Sequence, residues 1–158
     1  MKKITLIMLT VAMLLFPSNR VEGSSVDIHN RTILTFDGAA STELTLGEFL
    51  DLPQMTVQLT RTNSKGKTTT GIYTGVHWTE LAKAIGVSNT QSVLLVASDG
   101  FEQVYPLEVL QAPDSLFALY QDGKPITQEA HNGQVWFCAD GEFTANFWTK
   151  FVVKVVVK

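Results

Sequence analysis

At 158 residues, with 12 Lys and Arg against 15 Asp and Glu, the chain has room for one domain with its own core. No segment past residue 23 is a basic block, which excludes a binder of phosphate backbones; nucleic acid is not an expected partner. A single cysteine, Cys138, excludes an internal disulfide.

Met1-Lys2-Lys3 is cationic, Ile4 to Phe16 is apolar apart from Thr5 and Thr10, and Pro17-Ser18-Asn19 interrupts the run. Val21-Glu22-Gly23 then places small or aliphatic residues where a signal peptidase reads. This layout predicts a secretory signal over residues 1–23, cleaved after Gly23, with an uncleaved anchor as the alternative. The apolar run falls short of the roughly 20 residues that a membrane helix needs. The remaining domain, residues 24–158, is expected to be periplasmic or secreted and free of the membrane. Loss of Lys2, Lys3, Arg20 and Glu22 leaves nine basic residues against fourteen acidic ones.

Val26 to Asp37 alternates loosely and reads as an extended segment closing at the turn pair Asp37-Gly38. Thr45 and Glu48 have capping-box spacing ahead of a short helix that buries Phe49 and Leu50, and Pro53 stops it. Met55 to Thr60 alternates as a half-buried strand. Asn63 to Lys67 is turn chemistry and Thr68 to Tyr73 a β-prone return, so the pair predicts a hairpin. Trp78, Leu81, Ala82 and Ile85 define one helical face, ended by Gly86. Val93 to Ala97 is wholly apolar, the pattern of a strand covered on both faces. Further strands are expected at Phe101–Tyr105, Ser115–Tyr120 and Val135–Ala139, with a short helix from Pro106 and a turn over Asp122–Pro125. The β-branched run Phe151–Lys158 reads as a strand whose lysines blunt an edge. Many short strands and two or three short helices predict a mixed α+β domain.

No phosphate loop, paired-cysteine metal spacing or nucleophile elbow is present. His29, His77 and His131 are too scattered to define a metal site from spacing alone, although zinc would need three or four such ligands. Asp99-Gly100 is turn chemistry, or else a carboxylate at a strand end where ligand groups gather in α/β folds. Arg61 and Lys65, near the hairpin tip, are the best cations for an anionic ligand. Cys138 sits in the apolar run Val135–Ala139 with no basic neighbour in sequence to lower its pKa, and reads as a small buried hydrophobe.

From Leu44 onward the order of motifs resembles the oxidoreductase molybdopterin-binding domain of sulfite-oxidase-type enzymes. Leu46-Gly47-Glu48-Phe49-Leu50-Asp51-Leu52-Pro53 is similar to the helix before that family's first core strand. Tyr73-Thr74-Gly75-Val76-His77-Trp78 with Leu81 and Ala84-Ile85-Gly86 resembles its Gly-Val helix. Ala97-Ser98-Asp99-Gly100-Phe101 is similar to its Ser-x-Asp-Gly-Tyr turn. Leu116 to Ile126 and His131-Asn132-Gly133 follow where the family has comparable segments. The resemblance spans roughly residues 42–158 and implies a mixed, strand-rich α+β fold of the sulfite-oxidase molybdopterin-domain kind, with a few short helices.

Three departures bear on function. The family's metal-ligating cysteine follows its first core strand, where this chain reads Leu59-Thr60-Arg61-Thr62-Asn63; hydroxyl or guanidinium cannot stand in for a soft thiolate. Gln134-Val135-Trp136 replaces the family's Pro-x-Arg, and Asn146-Phe147 replaces the basic residue before its final tryptophan. The expectation is therefore an exported, non-catalytic binding or accessory domain with no cofactor. A residual cleft is expected near Arg61, His77, Asp99 and His131, taking a small-molecule ligand or a periplasmic partner protein. The alternative is a molybdopterin- or metal-dependent oxidoreductase with an atypical ligand set. A third reading is an interaction module pairing through Phe151–Val157.

Overall fold

The computed structural model describes residues 28–126, 134–141, 143 and 145–158. The expected signal segment and His131 lie outside them. A 3₁₀ turn at Ile28–Asn30 leads into β1 (Thr32–Asp37) and β2 (Ser41–Thr45). α1 (Leu46–Asp51) starts at the expected capping box: the Glu48 backbone N–H donates to the Thr45 hydroxyl, and the Thr45 N–H donates to the Glu48 carboxylate at 2.8 Å. The hairpin is β3 (Gln54–Thr62) and β4 (Thr68–Val76), its turn held by Asn63, whose side-chain oxygen accepts from the N–H groups of Lys65 and Lys67. α2 (Trp78–Ala84) buries Trp78 and Leu81, and Gly86 at φ +70° follows its C-cap.

β5 (Ser92–Ala97) and β6 (Glu102–Pro106) form a second hairpin, and α3 (Leu107–Leu110) follows. β7 (Leu116–Gln121) turns through Asp122 and Gly123, both at positive φ, into the two-residue β8 (Lys124–Pro125). β9 (Val135–Cys138), a 3₁₀ turn at Ala145–Phe147 and β10 (Thr149–Val157) complete the described chain. None of its helices is long and apolar enough to cross a membrane.

The ten strands described form one sheet in the order β2-β1-β10-β9-β7-β4-β3; β5 joins at β10, β6 at β5 and β8 at β7. β10 therefore does not lie at an edge as its lysines suggest. It pairs parallel with β1 and antiparallel with β9 and β5, and Lys154 is neutralised by Asp37 on β1. Val155 meets Phe36 on one side and Leu95 on the other, so this stretch has no open edge.

The sheet folds over a core in which Tyr105 of β6 meets Phe137 of β9, ring centroids 4.8 Å apart. The Tyr105 and Thr149 hydroxyls share a buried hydrogen bond of 2.6 Å. Phe117 joins Phe137 to Trp78, so α2 closes this side. β7 is buried on both faces: Leu116, Phe117, Ala118 and Leu119 are all inaccessible or nearly so. β5, expected to be covered on both faces, is covered on one. Val93, Leu95 and Ala97 are buried, while Leu94 and Val96 lie half-exposed beside Val104. An apolar run does not distinguish a doubly covered strand from one with an apolar outer face. Gly75 sets the β4–β7 spacing, since a Cβ there would stand 1.9 Å from the Phe117 carbonyl oxygen.

Candidate functional site

Directly opposed residues in a sheet point to the same side, and residues two apart on a strand share a face. Leu59 and Arg61 of β3 oppose Gly71 and Thr69 of β4, and Val57 opposes Tyr73. Gly75 opposes Ala118 of β7, which opposes Trp136 of β9, and Leu116 opposes Cys138. Register alone therefore places Arg61, Tyr73, Trp136 and Cys138 on one face of four adjacent strands. The opposite face carries Phe117 and Phe137 and belongs to the main core.

Trp148 lies over this face. Its ring stands edge-on to Tyr73 at 5.2 Å, and the Arg61 guanidinium lies 5.7 Å from the indole centroid. Lys150 brings a second cation, its Nζ 4.4 Å from the centroid of Trp136. Phe151 meets Trp136 edge-on at 5.7 Å. Phe151 has φ +54°, and the β9–β10 pairing shifts register between Thr149 and Val152. This bulge breaks the two-residue period and brings Lys150 and Phe151 over the same tryptophan.

The electrostatics follow from this packing. Burial pushes the Cys138 thiol well above its usual range; Arg61 and Lys150 oppose that shift without offsetting it. Loss of solvent pulls Lys150 below the usual lysine value, and the positive charge of Arg61 pulls it further. Burial raises the Tyr73 phenol to about 12, with Cys138 adding to the rise and Arg61 opposing it. The ion pairs among the described residues, Lys83–Glu80 and Lys154–Asp37, involve neither Arg61 nor Lys150. Two mutually repelling cations thus share one face beside two indoles, and neither has a carboxylate partner among the described residues.

A cleft of about 540 Å³ adjoins this cluster, lined by Trp136, Phe151, Ile126, Pro125 and Lys124 with Gln121 and Asp122. Asp122 is committed there, its Oδ1 accepting from the Ile72 N–H at 2.9 Å. Clefts of about 340 and 350 Å³ flank α2, but their charged residues Lys83 and Asp37 are already paired.

Of the residues expected to form one cleft, Arg61, His77 and Asp99 are described, and they are dispersed. Arg61 belongs to the cluster. His77 caps α2: the Thr79 N–H donates to its Nδ1 at 3.2 Å, which leaves Nε2–H to donate to the Ala112 carbonyl at 3.1 Å. Both ring nitrogens are thereby occupied. His77 also follows the last residue of β4 whereas Arg61 opposes Thr69 near its start, a separation of roughly 26 Å at strand rise. Asp99 is exposed and closes its own turn, its Oδ1 accepting from the Phe101 N–H at 3.0 Å with Gly100 at φ +87°. Lys65 lies exposed in the hairpin turn. Lys150, Tyr73, Trp136 and Trp148 are members that were not assigned to the expected cleft; the i, i+2 spacing of Trp136 and Cys138 was the available signal.

The donor chemistry of the described residues does not suit a molybdenum centre. Arg61 occupies the window in which the resemblance places the thiolate, and the Cys138 thiol is sealed at 0% exposure with its proton firmly held. Among the described residues no three His, Cys, Asp or Glu side chains converge as a metal-ligand group.

No protein-family model matches the chain, and no curated protein matches it. Among solved structures, the chain is similar to the sulfane dehydrogenase SoxCD from Paracoccus pantotrophus, with a TM-score of 0.67 at 15% identity. The match covers 82% of this chain and 38% of that one, so the chain spans well under half of its structural neighbour. The likeness establishes the fold: a mixed, strand-rich α+β domain of the kind found within SoxCD.

Proposed function

We propose that this chain is an exported, non-catalytic binding domain that holds a small anion between Arg61 and Lys150. The observation that carries the proposal is the pair of cations on one face, flanked by Trp136 and Trp148 and without a carboxylate partner among the described residues. A positive charge drawn from water costs free energy unless an opposite charge or hydrogen bonds compensate it. Lys150 is itself exposed, its charge only partly drawn from solvent, and it is repelled by Arg61, so a bound anion between them relieves that repulsion. The fold is shared with a dehydrogenase, but a fold does not fix chemistry, and the cluster lacks an accessible thiolate.

Isothermal titration calorimetry with inorganic phosphate and sulfate tests the reading. Binding that weakens at least tenfold in both Arg61→Gln and Lys150→Gln, and that falls as sodium chloride rises, is the expected result. Heat that is absent, or unchanged in both variants, would overturn it. Export is tested by N-terminal sequencing of the protein recovered from its own host, where Ser24 is the expected first residue. Elemental analysis of the same material tests the non-catalytic role. Molybdenum with pterin near one per chain would make the protein an oxidoreductase instead.

A further inference from the structure

We infer that two copies of this chain pair edge to edge along β3, antiparallel about a two-fold axis at Gln58, into one continuous sheet. The inference is independent of the anion reading. β3 ends the strand order, and among the described residues it pairs with β4 alone. Its outward N–H and C=O groups have no backbone partner among those residues. Such an edge is a template for another chain, and folded proteins ordinarily blunt it with charge, proline, a bulge or shortness. The other strands at edges carry those devices. β2 and β6 are five residues long, with Glu43 on the first and Glu102 and Pro106 on the second, and β8 is only Lys124–Pro125. β3 runs for nine residues without lysine or proline, and all nine pair with β4 in unbroken register. Its one charge, Arg61, is turned onto the face of Trp148.

This edge is complementary to itself. Pairing about Gln58 is the antiparallel register that gives all nine residues a partner, since Gln54 then meets Thr62 of the second copy. Side chains alternate between faces, so the same register continues each face of one sheet into the like face of the other. On the inner face Val57 meets Leu59, and Met55 meets the aliphatic stem of Arg61. Met55 and Val57 are half-exposed in the single chain, so pairing covers apolar surface. The two Arg61 residues never oppose each other, and the repulsion of like charges directly opposite is avoided. On the outer face Thr56 meets Thr60. Each already shares a hydroxyl hydrogen bond with β4, Thr56 with Thr74 at 2.9 Å and Thr60 with Thr70 at 2.8 Å. Pairing lengthens these two-hydroxyl rows to four. At the axis Gln58 meets Gln58, and each amide can donate to the other. The contact is one strand wide, which places it among small, transient interfaces.

The test is sedimentation of the protein recovered from its own host, between about 1 µM and about 1 mM. Monomer at the low end should pass to dimer at the high end, as a small interface implies. Gln58→Lys sets two cations opposite each other at the axis while altering a side chain that is exposed in the single chain. It should weaken the dimer about fivefold or more, and Gln58→Glu should do the same. Equal amounts of the two variants, each folded by circular dichroism, should recover the dimer, because lysine then faces glutamate. Val104→Lys, an exposed position on the short edge strand β6, should leave the equilibrium unchanged. Monomer at every concentration would overturn the inference. So would a dimer that withstands Gln58→Lys, or one lost in Val104→Lys, since the pairing edge would then not be β3. A mixture of the two charged variants that stays monomeric would refute the register about Gln58.

Discussion

Tyr73 shows how one side chain couples the cluster to the stability of the fold. It is 3% exposed, packs edge-on against Trp148, and has its phenol pushed up to about 12 by burial. A group whose folded pKa exceeds its unfolded value stabilises the fold below the unfolded value, and that stability is lost as pH rises through the folded one. The window here runs from pH 10 toward about 12, and Tyr105, also raised to about 12 by burial, acts in the same direction. Lys150 acts oppositely: its folded pKa is lowered, so its penalty is relieved as pH climbs toward the unfolded lysine value. Denaturant midpoints from pH 9 to 11.5 should therefore fall above pH 10, and should fall less steeply in Tyr73→Phe. An identical alkaline limb in that variant would show that Tyr73 ionises as freely in the fold as in the unfolded chain.

At the scale of elements, α1 and the β4–β7 pair make contrasting predictions. The capping box holds the Glu48 carboxyl below its usual range through the backbone N–H and hydroxyl of Thr45. Thr45→Ala should cost about 1 kcal/mol, measured as a shift in urea midpoint. A lowered carboxylate contributes above its unfolded pKa and loses that contribution as pH falls through the folded value, so the cost of Thr45→Ala should shrink below about pH 4. Gly75→Ala is far more severe, because its Cβ would meet backbone rather than a movable side chain. A loss of roughly 3 kcal/mol or more is expected, and a midpoint within experimental error of the parent would contradict the register described.

These two elements also mark what local sequence could specify. Thr45 with Glu48, the Asn63–Lys67 turn and the Trp78–Leu81–Ala82 stripe act over three to five residues, and each formed as its spacing implies. β2 was hidden because Ser41–Thr45 passes straight into α1 with no turn residue between them. The site was less legible than the fold. Arg61 could be singled out as a cation, but Lys150 reaches it only through a register shift at Phe151 that no alternation pattern announces. His77 and Asp99 have the right chemistry for a ligand site, yet one caps a helix and the other closes a turn. Residue type cannot separate those local roles from binding roles; hydrogen-bond partners can.

For the molecule as a whole, the central place of β10 has a consequence in time. Strands β1 and β2, β5 and β6, and the group β3, β4, β7 and β9 are joined into one sheet through a strand synthesised after all of them. A nascent chain short of Thr149 has these three pieces but lacks the strand that unites them. Contacts between distant parts of a chain form slowly, because loop closure must precede the contacts that reward it. Truncation after Trp148 should therefore abolish cooperative unfolding altogether, which calorimetry would read as a missing heat-absorption peak. The complete chain should refold in milliseconds to seconds rather than microseconds in stopped-flow measurements. Under the export proposed above, such an order of assembly would keep the chain open until β10 arrives.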